Sequence, residues 1–70
     1  PSSSEVMEML LKHARLEIEL KGEDRAIREM RKHTGWYTAG RRNGIRFRRV
    51  VNEIHTYSEL EDVCREFMLS

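Results

Sequence analysis

The chain has one proline, one cysteine, one tryptophan and four glycines in 70 residues, and it has no long apolar run. Each scarcity excludes something. A lone Cys64 rules out an internal disulfide and fits a reducing compartment. Without about 18 consecutive apolar residues there is no segment of membrane-spanning length, and the opening Pro1-Ser-Ser-Ser4 lacks the apolar core of a signal peptide. A soluble protein of the cytoplasm is the expectation. With proline confined to position 1, no later helix is interrupted by a ring that cannot donate. No paired acid and base, nucleophile constellation or glycine-rich phosphate loop is present, so a stand-alone enzyme is the least expected reading.

Charge is abundant but unevenly placed. Arg25, Arg28, Arg31, Lys32, Arg41, Arg42, Arg46, Arg48 and Arg49 are nine of the thirteen basic residues, and Glu29 is the one acid among them. The net charge of +1 therefore hides a strongly basic middle between two acidic arms. His33, Trp36 and Tyr37 interrupt this band. Cations neutralise phosphates and aromatic rings stack on bases, so nucleic acid is the leading partner.

Glycines 22, 35, 40 and 44 divide the chain into pieces of helical length. The spacing predicts an all-α, compact four-helix bundle with short connections, with helices over about 5–21, 23–39, 44–54 and 57–68 and a linker at 1–4. Met7, Leu10, Leu11, Ala14 and Ile18 recur on one face of the first helix, and Leu16 and Leu20 are expected to widen it. In the second helix Ala26, Ile27, Met30, Thr34 and Tyr37 share one side, while Arg25, Glu29, Lys32 and Trp36 share another. Gly35 inside that helix predicts the close approach of another backbone or a ligand. Arg41 to Gly44 forms a basic loop into helix three, whose apolar side is Phe47, Val50, Val51 and Ile54. Thr56-Tyr-Ser-Glu59 reads as a capping box for helix four, which buries Leu60, Val63, Cys64 and Phe67. The missing initiator Met and the linker-like start suggest a domain of a longer protein.

The segment Glu29-Met-Arg-Lys-His-Thr-Gly-Trp-Tyr-Thr-Ala-Gly40, followed by Arg48-Arg-Val-Val-Asn52 and the capped last helix, resembles the C-terminal helical domain of bacterial tRNA-dihydrouridine synthases. The lead-in Leu20-Lys-Gly-Glu-Asp-Arg25 is similar too, so the resemblance covers nearly the whole chain. In that family a flavin-bearing barrel reduces uridine in tRNA, and the helical bundle helps hold the tRNA. The resemblance thus implies tRNA and a sibling barrel domain as partners, with FMN bound by the barrel and no cofactor in this chain. The barrel's catalytic cysteine has no counterpart here, and Cys64 reads as a buried structural thiol.

The candidate RNA-binding residues are Arg25, Arg28, Lys32, His33, Trp36, Arg41, Arg42, Arg46, Arg49 and Asn52. His33 could instead be a hydrogen-bonded residue at the core edge, Trp36 a packing or interdomain residue, and Asn52 a cap for nearby backbone. His13, His33 and His55 are far apart in sequence and suggest no metal pair. Two rival readings stay open: a protein-interaction bundle docking an acidic partner or the sibling domain, and a helix-turn-helix-like DNA binder.

Overall fold

A computed structural model describes residues 2–38, 40 and 43–69, with side chains through Phe67. Four helices account for most of it: α1 (Ser3–Lys21), α2 (Glu23–Thr38), α3 (Gly44–Val51) and α4 (Tyr57–Leu69). The fold is all-α. Each helix packs on its neighbours in the chain, and α4 closes the ring against α1.

The ends of the helices are set by local chemistry. Ser2 caps α1: its hydroxyl accepts from the Glu5 amide at 3.2 Å while the Glu5 carboxylate accepts from the Ser2 amide at 3.2 Å. The helix therefore begins at Ser3, inside the stretch expected to be linker. Gly22 ends it with φ of +85°, a conformation that costs glycine little and other residues more. α2 starts at the next residue, so the α1–α2 turn is a single residue long.

α3 is shorter than its apolar spacing suggests, stopping at Val51 rather than at 54. Ile54 is nevertheless buried, because the turn beyond α3 folds it back into the core. Three side chains fix that turn. Arg31 donates to the Ile54 carbonyl from both Nε, at 3.1 Å, and Nη2, and lies 3.1 Å from His55 Nδ1. Glu59 accepts from the backbone amides of His55 and Thr56 at 3.0 and 3.1 Å. Glu23, at the start of α2, accepts from the Tyr57 amide at 2.9 Å and so supplies an acceptor to the unpaired amides of the α4 N-terminus from across the bundle.

The core holds Met7, Leu10, Leu11 and Ala14 of α1, Ile27 and Met30 of α2, Phe47 and Val51 of α3, and Leu60, Cys64 and Phe67 of α4. Phe47 and Phe67 meet edge to face with centroids 5.0 Å apart. The buried hydroxyls of Thr34 and Thr38 donate back to the carbonyls of Arg31 and Thr34. Leu16 and Leu20 do not join this core, being 52% and 78% exposed. At 100° per residue Leu16 lies roughly 200° from Ala14, so the faces taken by α2 and α4 do not reach it. Val50, also expected inside, is 42% exposed, because it flanks a groove between α3 and α4 rather than facing a helix.

Gly44 is needed for space at the α2–α3 corner. A Cβ on Gly44 would stand 2.7 Å from the Thr38 carbonyl oxygen, so here two backbones touch. The close approach expected at Gly35 is made by a side chain: Arg48 Cδ lies 3.8 Å from where a Cβ would sit.

Candidate nucleic-acid interface

The structure sorts the basic band by what each cation already does. Arg31 is half-buried and committed to the turn at Ile54 and His55. Arg25 pairs with Glu29 at 3.2 Å and Arg28 with Asp24 at 3.3 Å, both one helical turn away. Such exposed pairs hold their partners by about 0–1 kcal/mol, so these arginines remain exchangeable. Lys32, Arg46, Arg48 and Arg49 are exposed and make no ion pair or hydrogen bond with a described residue.

Helix geometry places these free cations. Arg28 and Lys32 are one turn apart on α2, and Gly35 follows three residues later on the same side. Arg48 of α3 lies across α2 at Gly35, with Nη1 4.0 Å from where a Cβ would sit. Lys32 and Arg48 thus flank the α2–α3 seam. Asn52 is one turn beyond Arg48, exposed, with its amide donating to the Arg48 carbonyl at 3.1 Å. Arg49 faces solvent on the next rung of α3. Arg48 was absent from the candidates drawn from the sequence. The signal for it was Gly35, where another backbone or a ligand was expected and the structure instead places the Arg48 side chain at ordinary contact distance.

Arg46 sits apart from this seam. It lines the groove between α3 and α4 together with Asn43, Phe47, Val50, Val63, Glu66 and Phe67. Arg41 and Arg42 lie outside the described residues.

On the other flank of α2, toward α1, rings form a chain. Tyr37 Oη lies 3.2 Å from His13 Nδ1, the His13 and His33 rings are 5.0 Å apart, and the His33 and Trp36 rings meet in a T-shaped arrangement with centroids 4.6 Å apart. The two histidines come together although their sequence separation suggested no pair. No group of three or more His, Cys, Asp or Glu residues among those described is placed to hold a metal. His33 is half-buried, its Nδ1 shielded and without a hydrogen-bond partner among the described residues. Trp36 is 75% exposed and shares its strip of α2 with Arg25 and Lys32, as the spacing predicted.

Below this flank Lys21 bridges the hairpin, 2.9 Å from Glu17 on α1 and 2.6 Å from Glu29 on α2. Its hydrogen bond to Glu29, then that to Glu17, raises the Lys21 ammonium above its usual range. The same Lys21 contact lowers the Glu29 carboxyl. Cys64 is fully buried, and loss of solvation pushes its thiol up to about 12.

The α3–α4 groove, a cavity of about 80 Å³, does not fit a flavin, since ligand pockets run to roughly 300–1,000 Å³. The depression above Arg25, Arg28, Glu29, Arg31 and Lys32 is open surface formed by one helix. No helix among the described residues is long and apolar enough to cross a membrane.

A small all-α bundle with free cations gathered along one seam is the class of protein that fold and surface define. This chain belongs to the dihydrouridine synthase family, whose model, described as Dihydrouridine synthase (Dus), matches residues 1–70. It is 34% identical over 61 residues to probable tRNA-dihydrouridine synthases of Mycobacterium leprae (strain TN) and Mycobacterium tuberculosis (strain ATCC 25618 / H37Rv), covering 87% of this chain and 16% of each relative. To the probable tRNA-dihydrouridine synthase of Rickettsia bellii (strain RML369-C) it is 31% identical over 70 residues, which is all of this chain and 22% of the relative. The chain thus spans less than a quarter of these relatives. No solved structure matches it.

Proposed function

We propose that this chain is the tRNA-binding helical domain of a dihydrouridine synthase. It holds tRNA so that one uridine, turned out of its stack, reaches a flavin carried by another part of such an enzyme. The bundle supplies binding and orientation. Chemistry belongs to the sibling domain.

The observation that carries this reading is the cluster of unengaged cations Lys32, Arg48 and Arg49 around the α2–α3 seam, in a family whose named members act on tRNA. A solvated charge that stabilises the fold would have an acid beside it, as Arg25, Arg28 and Lys21 do. These have none among the described residues, and a phosphate backbone is their chemical complement. Contacts of this kind position an RNA rather than read its bases, so recognition of tRNA rests on shape.

The test is a salt-dependent titration of the domain against folded tRNA, with duplex DNA of equal phosphate content and an acidic protein beside it. Three phosphate contacts give a log-log slope of roughly −2 to −3. Replacing Lys32, Arg48 or Arg49 by Ala should each lower affinity for tRNA and make that slope shallower by about one contact, with helix content unchanged. Equal binding to duplex DNA would reduce the surface to unselective electrostatics. Binding of the acidic protein alone would make the seam a protein contact and refute the reading.

A further inference from the structure

The ring chain beside the cationic seam has a chemistry that phosphate binding does not use. A tryptophan free in solution gives up rotamer freedom when it stacks on a ligand, which weakens the contact. Trp36 is already braced: the His33 ring packs against it in a T-shaped arrangement with centroids 4.6 Å apart, His13 backs His33 at 5.0 Å, and Tyr37 Oη lies 3.2 Å from His13 Nδ1. The bracing runs from the core boundary outward and leaves the indole 75% exposed. Arg25 and Lys32 share its strip of α2, eleven and four residues before it. An exposed aromatic plane at the end of a cationic strip is complementary to a base that has left its stack while its phosphates stay on the strand. A base inside a duplex is covered on both faces and has no plane to offer.

We infer that Trp36 stacks on an unpaired base, so that the domain selects RNA containing a loop or bulge over a continuous duplex. This inference rests on the RNA-binding reading above and adds to it a recognised feature of the RNA. His33 and His13 act as positioning residues, holding the indole rather than touching the RNA.

The experiment compares three RNAs of identical phosphate number: a duplex with one unpaired, bulged base, the same duplex with an abasic sugar at that place, and a fully paired duplex. The wild-type domain should bind the first roughly 5- to 100-fold more tightly than the second, the range expected for one base–aromatic stack. Fluorescence of Trp36, the only tryptophan, should be quenched by the first RNA alone. Trp36→Ala should remove the preference with the salt slope intact, and Trp36→Phe should keep most of it. His33→Ala should reduce the preference less than Trp36→Ala does. Wild-type affinities equal with and without the base would overturn the stacking while leaving the phosphate surface standing, and would assign Trp36 to a protein partner. Failure to bind any of the three would overturn the RNA reading itself.

Discussion

Neighbouring residues in the sequence have opposite jobs, as Arg31 and Lys32 show. Arg31 holds the carbonyl of a buried Ile54, and Arg31→Ala should lower unfolding free energy by about 1–3 kcal/mol, the cost of leaving such an acceptor unpaired. Lys32→Ala should leave chemical denaturation unchanged and act only on RNA affinity. A denaturant titration of both variants checks the contrast. Cys64 makes a third case. With its thiol raised to about 12 by burial, it should resist a disulfide reagent at pH 8 in the folded domain and react at once in denaturant. Charge patterning placed both basic residues in one band, since composition records charge and not what the charge touches. The contact that separates them involves a carbonyl 23 residues away, which no local window contains.

Among the elements, the helices and their caps were legible because their signals are local. The Thr56-to-Glu59 box predicted the start of α4, and the Glu59 amide indeed donates to Thr56 Oγ1 at 3.1 Å. Thr56→Ala should cost about 1 kcal/mol in thermal unfolding. The cap also titrates. Glu59 is lowered first by the His55 amide, as Glu5 is by the Ser2 amide and Glu29 by Lys21. A carboxyl lowered in the fold stabilises it at pH values above the ordinary carboxylate range. That contribution disappears as pH falls through the lowered values, so stability should hold near neutrality and decline below about pH 4. Lys21 has the opposite sign: raised in the fold, its contribution is present at neutral pH and is lost above about pH 10. Melting temperatures measured across pH test both limbs. What periodicity missed is which side of an apolar stripe meets a partner. Leu16, Leu20 and Val50 stayed outside because the neighbouring helices occupy other faces. The α2–α3 corner was half legible: Gly35 signalled proximity, but the backbone contact is at Gly44. Gly44→Ala should therefore destabilise the domain well beyond Gly35→Ala, which meets only a movable arginine at 3.8 Å. Comparing the two variants by urea titration decides it.

At the scale of the whole molecule, the path around the bundle from α1 to α4 and back gives the chain a particular order of assembly. α1 and α2 are joined by Gly22 alone, so their pairing closes the shortest possible loop and can form early from local contacts. The hydrogen bond from the Tyr57 amide to Glu23 is of another kind, linking residues 34 positions apart and drawing the start of α4 onto the start of α2. It is a contact of high sequence separation that becomes available only after α3 and its turn have brought the chain back. A contact that forms this late falls after the folding barrier, so Glu23→Gln should mainly speed unfolding in a stopped-flow chevron while leaving the folding limb nearly in place. The carboxylate of Glu23 is a latch on the completed bundle.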